Sequence, residues 1–181
     1  MAIYAIRGMD IIMIILIGGS THTGKTALSQ RLIEKYHYPC LSLDHLKMGL
    51  IRSGFTNLTP EDDDKMTNLL WPIVKEMIKT AIENEQNMII EGCYIPFDWK
   101  EDFEPEYLKH IKVVFLIMTE TYITEHFEEI KKYACVIEHR IADSIEIEEL
   151  LRDNIECLQM CRKYNCDYIL IDKEYDVHIN I

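Results

Sequence analysis

Basic side chains are scarce in this sequence: 19 Lys and Arg stand against 31 Asp and Glu in 181 residues, a formal net charge of −12. An acidic exterior repels phosphodiester backbones, so nucleic acid is disfavoured as a partner. Long hydrophobic runs are missing too. The longest, Ile11 to Ile17, is IIMIILI, far short of the roughly 20 apolar residues that span a bilayer. It also makes a poor secretory leader, because cleavage after it would cut into a glycine-containing loop. No membrane association and a cytoplasmic location are therefore expected. No C-x-x-C pair occurs among the six cysteines, which read as reduced thiols. Cys157 and Cys161 stand one helical turn apart with Cys166 beyond, but no fourth ligand has matching spacing, so buried helix cysteines are expected rather than a metal site. There is no repeat, low-complexity tract or Gly/Ser linker. Residues 1–181 read as a single domain with a real core.

What charge there is lies unevenly. Residues 1–58 carry Arg7, Lys25, Arg31, Lys35, Lys47 and Arg52 against Asp10, Glu34 and Asp44, a net of +3, which leaves −15 on the remaining 123 residues. That basic excess suits a small anionic ligand, and the rest of the acid reads as a solubilising surface. Met13 directly precedes IILIGGS, a natural start for the domain, and residues 1–10 read as an extra strand segment, a flexible arm or an upstream start.

Five short, β-branched apolar runs predict buried strands over residues 12–17, 40–43, 88–90, 112–118 and 167–171. Helical patterns fall between them. One covers 25–36. Another opens with Thr59 as N-cap, Pro60 at the first helical position and Glu61, Asp62 and Asp63 in the positive first turn. Pro72 predicts a kink there, or two helices over about 60–70 and 72–84. Further helices are expected over 120–132 and 146–164. Alternating strands and helices predict a three-layer α/β fold, a parallel sheet with helices on both faces. Two stretches exceed a simple crossover, 44–86 and 119–165. Insertions at strand carboxyl ends are where open α/β sheets carry their binding apparatus.

The strongest local signal is Gly19-Ser20-Thr21-His22-Thr23-Gly24-Lys25-Thr26, a G-x-x-x-x-G-K-T sequence with a strand before it and a helix after it. The glycines let successive N–H groups point inward at phosphates, and the helix opening at Lys25 adds the positive end of its dipole. Lys25 should reach the β- and γ-phosphates of ATP, and the Thr26 hydroxyl should ligate Mg²⁺. His22 is an unusual filler, either a contact to phosphate or acceptor or a solvent-facing loop residue. Glu91 ends the third strand and can support the metal or orient an attacking group. Asp44 ends the second and can accept the proton of an acceptor hydroxyl, cap the following helix, or both. Lys47 and Arg52 follow within two turns and could clamp an anionic acceptor. Arg140, or Arg152, could bring positive charge onto the transferring phosphoryl from the second insertion, or be ion-paired on a helix surface. Trp71, Tyr94, Phe97 and Trp99 read as core before pocket.

With these residues in view, the chain resembles the P-loop kinases of the nucleoside-monophosphate-kinase type over most of residues 13–172. Asp44-His45-Leu46-Lys47 looks like the D-x-L-R acceptor segment of adenylate kinases, and Glu91-Gly92 like their D-G turn. The arginine that usually follows that turn is absent, and Cys93-Tyr94-Ile95-Pro96-Phe97 stands instead. The runs GGSTHTGKT and IIEGCYIPF are more similar to 2-phosphoglycerate kinase and the zeta-toxin-like kinases. The resemblance implies a five-stranded sheet of order 2-3-1-4-5, ATP and Mg²⁺, and a helical lid closing from 119–165. The leading expectation is transfer of the γ-phosphoryl of ATP to a small hydroxyl or phosphate acceptor by a monomer or homodimer. The alternatives are a nucleoside monophosphate kinase and a noncatalytic ATP-binding regulatory module. A GTPase would want an N-K-x-D base-reading segment, and no such tetrapeptide occurs. The charge balance argues against a nucleic-acid 5′-kinase.

Overall fold

The computed structural model describes residues 13–133 and 146–179. Its strands are β1 (Ile14–Gly19), β2 (Cys40–Ser42), β3 (Met88–Glu91), β4 (Ile111–Met118) and β5 (Tyr168–Ile171). All pair in parallel, in the order β2-β3-β1-β4-β5. The helices are α1 (Lys25–Tyr36), α2 (Leu43–Arg52), α3 (Asp63–Glu83), α4 (Pro105–Leu108), α5 (Glu120–Tyr133) and α6 (Ile147–Lys163). None is long and apolar enough to cross a membrane among the described residues.

The central strand explains the two-faced architecture. Ile14, Ile15, Leu16 and Ile17 are all fully buried. Successive strand side chains point to opposite faces, so these four divide between two cores. Ile14 and Leu16 pack with Leu43, with Met66, Leu70, Val74 and Ile78 of α3, and with Cys157 and Cys161 of α6. Ile15 and Ile17 pack with Leu28 and Leu32 of α1 and Tyr122, Ile123 and Ile130 of α5. On β4, Val113, Phe115 and Ile117 face the first core while Val114, Leu116 and Met118 face the second. The three cysteines of the α6 region are buried members of the first core.

Three local expectations are corrected. The second strand stops at Ser42, and Leu43 opens α2, so Asp44 lies in the first helical turn and Ser42 takes the N-cap position. The third helix begins at Asp63 rather than at Pro60. Thr59 donates from both its backbone N–H (3.0 Å) and its hydroxyl (3.1 Å) to Asp62 Oδ2. The Asp62 N–H bonds back to the Thr59 carbonyl at 3.1 Å. The threonine therefore closes a turn ahead of the helix instead of capping it. Finally, α3 is one helix through Pro72 rather than two. Pro72 and Asn68, the residue whose carbonyl it cannot bond, are both exposed, so water rather than a buried gap meets the missing hydrogen bond.

One buried polar residue ties α6 to the sheet. Asn154 is 1 % exposed. Its Oδ1 accepts from the Met118 N–H at the carboxyl end of β4 (2.8 Å), and its Nδ2 donates to the Leu150 carbonyl (2.8 Å). Asn154→Ala would strand the Met118 N–H, and a buried unsatisfied donor costs about 1–3 kcal/mol. Urea unfolding should show that loss as a lower midpoint at unchanged slope. An unchanged midpoint would mean that water replaces the amide.

Candidate active site

The carboxyl ends of β1, β2 and β3 meet at one edge of the sheet. Register places Ser42, Glu91 and Ile17 on a single rung, with Gly19 of β1 level with Leu116 of β4. The chain leaves β1 through residues 19–24 and turns directly into α1 at Lys25. The turn needs left-handed backbone at His22 (φ 60°) and Gly24 (φ 84°). For His22 that conformation carries strain of order 1–3 kcal/mol, which surrounding structure must offset. Thr23 supplies part of it: the side chain is fully buried and its hydroxyl donates to the Ser20 carbonyl at 2.8 Å. The Ser20 hydroxyl donates to the Asp153 carbonyl of α6 at 3.0 Å, so the loop is pinned from the helix side as well.

The loop therefore has the form its sequence implies. Lys25 is buried, and its ammonium donates to the Ser20 carbonyl at 2.6 Å, spanning the mouth of the loop. Gly24 occupies the N-cap of α1, where its carbonyl accepts from Leu28 N–H at 2.9 Å. Any side chain there would collide with the Tyr175 phenol. That tyrosine lies beyond β5, and its hydroxyl is 3.3 Å from the Thr23 carbonyl and 3.2 Å from the Gly24 carbonyl. Arg31 of α1 donates to the Val177 carbonyl at 3.0 Å, and Val177 itself is fully buried. The segment after β5 is thus strapped to the start of α1. Sequence reading missed Tyr175, because nothing local to Asp172–Asp176 signals a contact made 151 residues away in the chain.

The strand-end carboxylate arrives from the other side. Glu91 is 1 % exposed, and the Thr26 hydroxyl lies 3.4 Å from its Oε2. The Gly92 N–H bonds the Ile17 carbonyl at 3.1 Å, which holds the turn after β3 against the base of the loop. Gly92 has φ 153°, and a Cβ on it would stand 2.7 Å from Leu43 Cβ. Only glycine lets α2 begin so close to β3. Oxygen ligands cis to each other around an octahedral Mg²⁺ at 2.0–2.1 Å are about 3 Å apart. The Thr26–Glu91 pair, at 3.4 Å, stands somewhat wider than that separation. Among the described residues no group of three or more His, Cys, Asp or Glu could hold a metal by itself. Such a pair therefore suits an ion that keeps waters and shares phosphate oxygens.

Asp44, Lys47, Asp63 and Tyr94 form the adjoining wall. Lys47 lies 3.8 Å from Asp44 and 3.9 Å from Asp63, and it donates to the Tyr94 hydroxyl at 2.5 Å. Tyr94 in turn donates to Asp63 at 2.7 Å. Burial pushes the Tyr94 phenol well above its ordinary value, and the bond to Asp63 pushes it further, so it remains a donor. Asp63 read as a first-turn helix charge and Tyr94 as core; both descriptions hold, yet the side-chain tips meet at this wall. Trp71 and Trp99 are core, and Phe97 stacks on Phe115 with centroids 4.9 Å apart. Arg52 is exposed at the far end of α2, eight residues from Asp44, or about 12 Å at 1.5 Å per residue. Arg152 is exposed and paired with Glu149 at 3.6 Å and Asp153 at 3.5 Å. Arg140 lies outside the described residues.

No family model matches the chain. Among solved structures it is similar to the shikimate kinase of Bacteroides thetaiotaomicron (TM-score 0.54, 18 % identity, 88 % of this chain and 85 % of that one). It is similar to the same enzyme of Acinetobacter baumannii in complex with shikimate (0.50, 17 %, 93 % and 87 %). A sugar kinase of Janibacter also superposes (0.50, 14 %, 89 % and 85 %). This chain shares the fold of those structures. The sheet order, the helices on both faces and the loop between β1 and α1 all agree with that assignment. A curated relative, the serine/threonine-protein kinase MEC1 of Kluyveromyces lactis, is 30 % identical over 99 residues, 51 % of this chain. The match spans only 4 % of that protein's length.

Proposed function

We propose that the chain is an ATP-dependent phosphotransferase that moves the γ-phosphoryl of ATP to a small-molecule acceptor. The observation that carries this reading is the convergence of three strand ends. The loop after β1 offers Lys25 and Thr26, β3 offers Glu91, and the start of α2 after β2 offers Asp44. A nucleotide sensor needs the first of these; a second carboxylate-bearing wall beside the γ-phosphate position is what an acceptor requires.

In this reading residues 19–26 cradle the phosphates with backbone N–H groups and the α1 dipole. Lys25 neutralises charge on the β- and γ-phosphates. Thr26 and Glu91 would hold Mg²⁺, which supplies charge neutralisation at the transferring phosphoryl. Asp44 orients the acceptor hydroxyl and takes its proton as the new P–O bond forms and the bond to the ADP oxygen breaks. Lys47 holds Asp44 in place. Arg140 is assigned to charge neutralisation on the transferring phosphoryl. The nucleotide and the acceptor are the ligands, and the protein would work in the cytoplasm. The test is a screen of acceptors read by ADP production, backed by transfer of label from γ-labelled ATP into a metabolite extract. Label appearing in a small molecule supports the reading. ATP that binds and transfers to nothing overturns it in favour of a binding module.

A further inference from the structure

Lys47 is already fully engaged. Its ammonium bridges Asp44 and Asp63, donates to Tyr94, and stands 5.0 Å from the centroid of the Tyr94 ring. Its side chain is only 13 % exposed. Among the described residues the acceptor-side wall thus holds two carboxylates against one ammonium, a net negative charge. Lys25 is turned to the phosphate loop, and Arg52 lies about 12 Å away along α2. The turn after β3 contributes Cys93 and Tyr94 and no cation. Tyr94 fills the place with a hydroxyl committed to Asp63.

A phosphorylated acceptor brings a further charge of roughly −1.5 to −2. Beside Asp44 it would face like charge, or it would have to strip Lys47 from both carboxylates. A substrate hydroxyl meets no such obstacle, because ionised Asp44 and Asp63 are acceptor-only groups that receive O–H donors. We propose that the acceptor is a hydroxyl compound carrying no phosphate group, with the Asp44–Lys47–Asp63–Tyr94 cluster excluding phosphorylated analogues. The proposal rests on the phosphotransferase reading and narrows it.

The experiment uses the full chain, ATP·Mg and matched acceptor pairs that differ by one phosphate: nucleosides against their 5′-monophosphates, hexoses and pentoses against their phosphates, and glycerate against 2-phosphoglycerate. Like charges about 5 Å apart at an effective dielectric near 20 correspond to roughly a 300-fold preference. The kcat/KM of the preferred pair should favour the unphosphorylated member by about that much. Asp63→Asn removes the net negative charge of the wall while leaving the fold, since Asp63 is largely exposed at the start of α3. It should narrow the ratio by about tenfold or more. Equal or better turnover of the phosphorylated member overturns the acceptor class and leaves the phosphotransferase reading standing. A ratio that Asp63→Asn does not move removes the cluster as its cause. ATP binding with no label in any member of either series overturns both readings.

Discussion

Lys25→Ala is expected to lower kcat for ATP-dependent transfer by about 10³-fold, comparable to removing one preorganised charge donor from a transition state. The ammonium sits at the mouth of the loop, held by the Ser20 carbonyl at 2.6 Å, and it is 6 % exposed. A cation buried to that degree is costly to maintain without an anionic partner. Its ammonium donates to a neutral carbonyl, that of Ser20. Removing it should therefore leave folding stability level or slightly raised, while activity collapses. That opposition of sign separates a functional lysine from a structural one. ADP production under saturating ATP gives the rate, and thermal unfolding of the same preparation gives the stability. A variant that loses both together would make Lys25 a structural support of the loop. One that keeps more than a tenth of the rate would sink its assignment to the phosphates.

The fold was largely legible because two strong patterns agree. Strand runs of IILI and VVFLIM bury both faces and demand helices above and below. The loop glycines then fix where the chain turns from strand to helix. Even the cysteines of α6 followed from their spacing. Boundaries set by competition were harder to read. The segment Thr59–Asp62 satisfied every rule for a helix start, yet the Asp62 carboxylate drew the Thr59 N–H and hydroxyl into a separate turn. Pro72 read as a kink or as a boundary between two helices; one helix runs through it, with Pro72 exposed.

The site divided along the same line. The half proposed to bind phosphate is local in sequence, eight consecutive residues, so its spacing is visible in the chain. Its other half is assembled from Asp44, Asp63 and Tyr94, drawn from three elements, and no spacing rule brings them together. Lys47 is the instructive residue. From sequence it is a free cation two positions from a histidine, available to clamp an anion. In the fold it lies within 4 Å of two carboxylates. The charge of a residue is legible in sequence; whether that charge is already spent is decided by contacts between elements.

Asp44→Asn is expected to reduce kcat by about 10²- to 10⁴-fold, the range general base catalysis supplies, while ATP affinity stays within about threefold. The asparagine keeps the size and the carbonyl acceptor, so an acceptor hydroxyl can still be oriented. What it lacks is a group able to take the proton as the P–O bond forms. Structural effects should be small. Asp44 is half-buried in the first turn of α2, where a carboxylate near the helix N-terminus contributes about 0.3–1 kcal/mol. Its contact with Lys47, at 3.8 Å, is shared with Asp63 and Tyr94, so the lysine keeps its place. Isothermal titration with ATP and steady-state turnover on one preparation separate the two contributions. If kcat falls but ATP binding weakens in proportion, Asp44 shapes the nucleotide site and is not the base. A normal rate with intact ATP binding would mean that the proton leaves by another route, as a loose phosphoryl-transfer transition state permits. The carboxylate would then serve only to orient the hydroxyl, through the same hydrogen bond that asparagine preserves.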